Sequence, residues 1–328
     1  MKYVFGPLPS RRLGQSLGID TVPLKTCNWN CAYCQLGRTQ AVVNERKEYV
    51  PSEDVLAEVR LALDSHPPGS IDWVTFVGSG EPTLHSNIGR LIRQVKSLTD
   101  LPVGVITNGS LLYSAEVRED LMPADAVMPT LDAGSPELYC KINRPHQVLG
   151  FERLVYGMMS FRQEYRGSLW LEIMLLKGLN DTENALHDLA VLLSCIKPDK
   201  VHISLPIRPP AEDWVQPADE EGVMRAVAIL GTRAHVLHPA MGTFDLSGAE
   251  TVIDGILGIV TRHPMRQKEL EITLARWNPN EIGRVLRELE ASEQVRVVER
   301  YGVRFWCSAD SRYSTGRKIH NGVGILPG

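Results

Sequence analysis

Short β-rich runs alternate with amphipathic segments from about residue 15 to residue 240, and this alternation restricts the fold more than any other feature of the chain. The runs are 18–22, 73–77, 103–107, 126–131, 169–176 and 200–205. Between them, apolar residues recur at helical spacing over 86–98, 114–122, 149–164, 181–195 and 217–231. A further helix starts at Ser52, a good capping residue, and runs through Val55, Leu56, Val59 and Leu63. Strands alternating with helices imply parallel strands joined by right-handed crossovers. Six such units suit a partial or closed β/α barrel, and a doubly wound open sheet would show the same alternation.

The pattern changes after residue 240. Residues 241–249 carry Gly242, Ser247 and Gly248 without strong periodicity and read as a linker. Helical patterns follow at 252–260 and 267–274. Asn278 is placed to cap a third at 281–291, with Ile282, Val285, Leu286 and Leu289 on one face. Runs 295–298 and 303–306 flank Tyr301-Gly302 as a hairpin. Three helices and a hairpin outline a winged helix–turn–helix. The expected fold is therefore α/β: a barrel domain over 1–240, a linker, a small winged-helix domain over 250–309, and a tail at 310–328, rich in Ser, Gly and basic residues, expected to be mobile.

The 328 residues are 43% hydrophobic and 23% charged, which supports a core of normal size. A net charge of −4 argues against a broad basic nucleic-acid surface. The start, Met-Lys-Tyr-Val-Phe-Gly-Pro, has no signal-peptide pattern, and no apolar stretch is long enough to span a bilayer, so a cytoplasmic protein without membrane contact is expected. Of six cysteines, Cys140, Cys195 and Cys307 are scattered. Cys195 sits in the apolar run Leu192-Leu193-Ser194-Cys195-Ile196 and is expected to be buried.

The other three, Cys27, Cys31 and Cys34, fall within eight residues just after the first strand. In a reducing compartment such crowding points to metal rather than to disulfides. A cubane Fe–S cluster takes soft thiolates on several irons, and one short loop can supply three, leaving one iron open. Structural zinc is the alternative on the triplet alone. It wants four ligands, and the nearest extra donor, His85, lies on a different loop.

The C-x3-C-x2-C loop, with Tyr33 before its last cysteine, resembles the signature of the radical S-adenosylmethionine superfamily. The resemblance implies a partial β/α barrel with a [4Fe–4S] cluster on Cys27, Cys31 and Cys34. The fourth iron would chelate S-adenosylmethionine, and reductive cleavage would yield a 5′-deoxyadenosyl radical that takes hydrogen from a substrate. It also implies an electron donor of flavodoxin or ferredoxin type.

The strand ends extend the resemblance. The second strand closes in Gly78-Ser79-Gly80-Glu81, where glycines permit close backbone approach and Glu81 can accept from an ammonium group. The superfamily carries Gly-Gly-Glu here to grip the amino group of S-adenosylmethionine, and Ser79 stands in place of its first glycine. By the same resemblance Asn108, Asp132, Lys177 and Ser204 are candidates for the ribose and carboxylate of that molecule, and the backbone at Tyr33 for its adenine. Arg11, Arg12, Arg208 and Arg144 are candidates for an anionic substrate, because guanidinium forks suit carboxylates and phosphates.

The opening from Gly6 to Gly14, the Leu131-Asp132-Ala133 run and the stretch Lys141-Ile142-Asn143-Arg144-Pro145 resemble a subgroup related to wyosine-base synthases, which modify a tRNA guanine. Those synthases carry a second cluster on upstream cysteines, and here no cysteine precedes Cys27. In the C-terminal segment Arg276, Arg284, Arg287, Arg296, Arg300 and Arg304 are nearly cancelled by Glu281, Glu288, Glu290, Glu293 and Glu299. The expectation is a radical enzyme acting on a macromolecule, tRNA or peptide, held by the winged helix. The alternatives are a radical enzyme acting on a small metabolite and, from another class, an Fe–S sensing DNA-binding regulator.

Overall fold

The computed structural model describes residues 1–238, 244–246 and 249–314. One sheet takes the order β1(Val4–Ser10), β2(Gly14–Ile19), β3(Trp73–Phe76), β4(Val103–Thr107), β5(Ala126–Pro129), β6(Ser168–Met174), β7(Lys200–Ser204), β8(Ala234–Val236). Every neighbour in space is the neighbour in sequence. A doubly wound sheet would reverse its order partway, so this sequential order decides for the barrel architecture. The β1 and β8 edges do not pair, so the barrel is partial.

Two strands escaped sequence reading. The six expected strands are present, but β8 adds a seventh parallel one, and β1 pairs antiparallel with β2 through the Ser10–Gly14 turn. β8 has only three residues, too few for periodicity. β1 carries Pro7 and Pro9, which weaken any strand signal but are tolerated at an edge.

Parallel strands covered on both faces read as apolar runs. Val74, Phe76, Val103, Val105, Val127, Leu171, Ile173, Val201 and Ile203 are buried accordingly. The crossover helices are α1(Ser52–Ser65), α2(Ile88–Leu98), α3(Ala115–Leu121), α4(Pro136–Ile142), α5(Phe151–Glu164), α6(Glu183–Ile196) and α7(Glu220–Leu230). Ser52 does not cap α1: it is already helical, and its hydroxyl donates to Glu48 Oε1 at 2.7 Å. The short α4, capped by Ser135 on the Leu138 amide, was not foreseen.

The C-terminal elements are α8(Val252–Arg262), β9(Met265–Arg266), α9(Gln267–Trp277), α10(Ile282–Ala291), β10(Val295–Arg300) and β11(Val303–Ser308), with a three-stranded sheet of order β10-β11-β9. Asn278 bonds the Glu281 side chain rather than capping a helix backbone. These elements have their own core around Ile256, Ile259, Leu270, Leu274, Val285, Leu289 and Trp306. That core also takes in Leu8 of β1, together with Phe244 and Leu246 of the expected linker, so the segment is in part a packed element.

Cys195 is exposed and Cys307 buried, the reverse of expectation for Cys195, which sits on the outer face of α6. Residues 239–243, 247, 248 and 315–328 lie outside the described residues. The described start of the tail is ordered against the barrel: the Arg38 amide donates to Arg312 O at 2.6 Å, Tyr313 OH to Gln35 O at 2.7 Å, and the Ser314 amide to Ala211 O at 2.8 Å. Among the described residues no helix is long and apolar enough to cross a membrane.

Candidate active site

The cysteine loop leaves the C-terminal end of β2 and is tied down by residues between its cysteines. The Asn30 amide donates to the carbonyls of Asn143 and Arg144, both at 3.1 Å, and the Ala32 amide to Ile142 O at 2.8 Å, which fixes the loop on the end of α4. Trp29 is buried edge-on to Tyr139, with ring centroids 5.4 Å apart. Asn28 Nδ2 donates to Ser110 Oγ at 2.9 Å, and Asn108 Nδ2 to Asn28 Oδ1 at 2.6 Å, which fixes the loop to the end of β4. The three residues between Cys27 and Cys31 are therefore scaffolding that presents sulfur.

Donors surround the thiols. Lys25 Nζ lies 3.1 Å from Cys34 Sγ, the Trp29 amide 3.4 Å from Cys27 Sγ, and Asn143 Nδ2 3.8 Å from Cys31 Sγ. Burial, with Glu81 nearby, pushes the Cys27 thiol up to about 12. Burial and the neighbouring Cys27 and Cys34 push Cys31 well above the ordinary thiol range. Such crowding becomes favourable once a multivalent cation takes the sulfurs as thiolates. Among the described residues no three His, Cys, Asp or Glu groups converge on a single ion. A cubane makes no such demand, since each thiolate meets its own iron. His85, the fourth ligand zinc would have needed, is buried with Nε2 3.0 Å from Val50 O.

The glycine turn lies directly beneath this loop. A Cβ at Gly80 would stand 1.9 Å from Thr26 O, and one at Gly78 2.4 Å from the Asp20 carboxyl carbon, so both must be glycine. Ser79 is tolerated because its side chain has a partner: its hydroxyl donates to Asp20 Oδ2 at 2.6 Å. Asp20 also accepts from Arg262 Nε at 2.8 Å, an ion pair that joins the turn to α8. The Glu81 carboxylate is consumed within the chain, accepting from the Thr83 amide, the Thr83 and Thr107 hydroxyls and the Asn108 amide at 2.5–3.0 Å. It ties β3 to β4, with three of these bonds on Oε1 and one, from the Asn108 amide, on Oε2.

The other strand ends divide similarly. Asn108 lies beside the loop, its Nδ2 3.9 Å from Cys27 Sγ. Asp132 is buried and accepts from Tyr33 OH and Asn143 Nδ2, each at 2.6 Å, and from the Met174 amide at 2.7 Å; burial still lifts its carboxyl to about 6. Ser204 is buried and donates to Glu172 Oε1 at 2.9 Å. Lys177 is not brought to the site: it is exposed and paired with Asp219 at 2.9 Å. It follows β6 by three residues, and the intervening loop carries it outward.

A cavity of about 420 Å³ occupies the barrel interior, with Cys31, Tyr33, Cys34 and Gly78 at one end and Arg11 and Arg12 on its wall. Because β1 is antiparallel, the Ser10–Gly14 turn lies at the N-terminal end of β2, so these arginines enter from the side opposite the cysteine loop. Arg12 is paired with buried Glu172. Burial alone would raise the Glu172 carboxyl, but Arg12 and Arg11 hold it below the ordinary range. Arg144 is placed elsewhere, bonded to Glu212 Oε1 at 2.6 Å. The C-terminal elements complete the wall with Phe244, Arg262, His263 and Glu269. Arg208 points into them: its Nε donates to Pro264 O at 2.8 Å and its Nη2 meets His263 Nε2. Asp20, Asn28, Asn143, Glu172, Arg262 and His263 had not been foreseen as site residues. Only Asn143 had drawn notice, as part of the Lys141–Pro145 stretch.

A family model described as "Radical SAM superfamily" matches residues 21–190. The chain is 35% identical over 282 residues to "UPF0026 protein MJ1312" of Methanocaldococcus jannaschii, covering 85% of this chain and 88% of that one. It is 41% identical over 225 residues to "GTPase Obg" of Brachyspira hyodysenteriae, covering 69% of this chain but only 33% of that longer protein. A radical SAM methyltransferase structure from Sphaerobacter thermophilus matches the fold with a TM-score of 0.50 at 17% identity, over 67% of this chain and 65% of that one. The chain belongs to the radical SAM superfamily, whose enzymes use a [4Fe–4S] cluster and S-adenosylmethionine.

Proposed function

We propose that Cys27, Cys31 and Cys34 each ligate one iron of the [4Fe–4S] cluster, leaving the fourth iron for S-adenosylmethionine. The observation carrying this reading is three thiols on one loop tied to α4 and β4, with Cys31 and Cys34 at the end of the cavity. When bound, the reduced cluster, charged by a flavodoxin- or ferredoxin-type donor, supplies the electron that converts S-adenosylmethionine to methionine and a 5′-deoxyadenosyl radical. The Gly78-Ser79-Gly80 backbone would offer carbonyls to its amino group, and the Tyr33 backbone would hold its adenine. Asn108 is retained as a side-chain contact. Glu81, Asp132 and Ser204 act as positioning residues, because their polar atoms already hold Thr83, Thr107, Tyr33, Asn143 and Glu172. Donors such as Asn143 beside Cys31 tune the cluster.

The C-terminal elements from α8 to β11 are read as a winged helix–turn–helix domain following the barrel domain, in keeping with their order and three-stranded sheet. Its job in this reading is to wall the cavity. Arg262, His263 and Glu269 face inward, and the hairpin tip is occupied: Tyr301 OH donates to Val215 O at 2.9 Å and Arg300 Nη2 to the same carbonyl at 3.1 Å. The outward helix α10 spends Arg284 on Glu281 and Glu288, both at 2.5 Å, so it presents no clean basic face. A cavity of about 420 Å³ walled on both sides suits a small metabolite better than a tRNA or protein, and better than a DNA-binding sensor.

Anaerobic reconstitution should give about four irons per chain, and dithionite with S-adenosylmethionine should release 5′-deoxyadenosine. Cys31→Ala should lose both. A variant that still cleaved S-adenosylmethionine would sink the assignment, and copurifying RNA released only by denaturation would restore a macromolecular substrate.

A further inference from the structure

We propose that Arg11 and Arg208, but not Arg12, form a binding site for an oxyanion, carboxylate or phosphate, of the small substrate. The inference rests on the reading of the cavity as the substrate site and names the chemistry that it selects.

The three arginines look alike in sequence and differ in their partners. Arg12 is neutralised by Glu172. Arg11 lines the cavity and, among the described residues, makes no hydrogen bond or ion pair. Its nearest opposite charge, Glu172, is already held by Arg12 and by the Ser204 hydroxyl. Arg208 lines the same cavity and spends two of its five N–H groups on neutral acceptors, Pro264 O and His263 Nε2, with no carboxylate in ion-pair range. His263 meets Arg208 directly, and desolvation followed by the charges of Arg208 and Arg11 favours its neutral ring, so it supplies no countercharge. Glu269, the remaining carboxylate on that wall, accepts from the Arg266 amide at 2.8 Å as a helix cap.

Two guanidiniums thus line one cavity, near enough for Arg11 to oppose the charge of Arg208, and neither makes an ion pair among the described residues. Burial, opposed by the Glu269 carboxylate and reinforced by Arg11 and Arg266, pulls Arg208 down to about 10. Guanidinium keeps its proton in proteins, so Arg208 stays charged in the cavity with Glu269 as a nearby carboxylate that does not reach ion-pair distance. An unpaired buried charge is costly and persists where a ligand completes it. Forked donors from two directions fit a planar carboxylate or a phosphate. The apolar neighbours Phe5, Leu8 and Phe244 leave room for a short apolar body on the substrate.

The test uses the reconstituted full-length enzyme with inorganic phosphate and with acetate as probes, read as thermal shifts against chloride at matched ionic strength. Wild type should gain a few degrees in Tm with at least one probe. Arg11→Met should bind that probe at least tenfold more weakly. Because it removes a charge with no protein partner, its Tm in chloride should equal or exceed that of wild type. Arg11→Lys should fall between, keeping the charge but losing the fork. Arg90→Ala, which removes an arginine from an exposed pair with Glu53, should respond as wild type. Response to phosphate alone identifies a phosphate-bearing substrate, to acetate alone a carboxylate-bearing one. No response in wild type, or equal responses in wild type and Arg11→Met, overturns the proposal. So does abolition of the wild-type shift by added S-adenosylmethionine, which would assign the pair to the cofactor's own carboxylate. Absence of dithionite-driven S-adenosylmethionine cleavage in wild type would instead defeat the cluster reading and leave the anion shifts standing as a separate result.

Discussion

The cysteine loop and the C-terminal elements meet at the same cavity and are built on different principles. The loop concentrates its chemistry within eight residues and is held locally: the Asn28 side chain to the end of β4, and the Trp29 ring and the Asn30 backbone amide to the end of α4. The C-terminal elements contribute wall rather than ligands, and they are joined to the barrel through contacts that span the chain, such as Arg262 to Asp20 and Arg208 to Pro264. The difference teaches that reactivity here is local, whereas enclosure is assembled from distant parts.

The largest expected effect lies on the loop side. Cys31→Ala should reduce iron and 5′-deoxyadenosine to background while the helical content, read by circular dichroism, is kept. A variant retaining iron near four per chain would show that the loop is not the ligand set.

The seam comes next. Asp20 and Arg262 have side chains only 5% and 14% exposed, so Arg262→Ala strands a buried carboxylate and should cost about 3–5 kcal/mol in urea unfolding. A loss below about 1 kcal/mol would mean that the wall is held by its apolar core alone.

His202 tests the interior between them. Burial, then the nearby Arg12, pushes its ring down to about 4, and its Nδ1 has no partner among the described residues. Its folded value lies below the unfolded one near 6.5, so the unfolded chain binds the extra proton in that window. This contribution is complete above about pH 6.5 and is lost as pH falls towards 4, by up to about 3 kcal/mol. The difference in unfolding free energy between wild type and His202→Gln should follow that course; a flat difference would mean that the ring titrates normally.

The smallest effect belongs to Lys177. Lys177→Ala should change stability by less than about 0.5 kcal/mol, since its pair with Asp219 is exposed, and should leave the rate of S-adenosylmethionine cleavage as in wild type. A clear fall in that rate would bring Lys177 back to the cavity.

Legibility followed sequence separation. Strands β3 to β7 and most helices could be placed because their periodicity is local, and Gly78 and Gly80 stood out because a tight turn after a strand is itself a local signal. β8 was too short to register, and β1 was masked by its prolines. Lys177 was misplaced because position after a strand says nothing of where the following loop turns. The donors that hold Glu81, Thr107 and the Asn108 amide, could not be read because they lie a strand and a helix away in sequence. The expected mobile tail was misread at its start because its partners, Gln35, Arg38 and Ala211, are some hundred to nearly three hundred residues upstream.

By itself, the sequence determined the grouping of three thiols in one short loop after a strand and the strand–helix alternation of the chain around it. Only the tertiary structure decided which charges are spent. Arg11, Arg12 and Arg208 carry the same group, but whether each is neutralised depends on Glu172, His263 and Pro264, which come from β6 and from the end of α8. A ligand set within one loop is written in consecutive residues. A countercharge is a long-range contact, and only folding brings its two halves together.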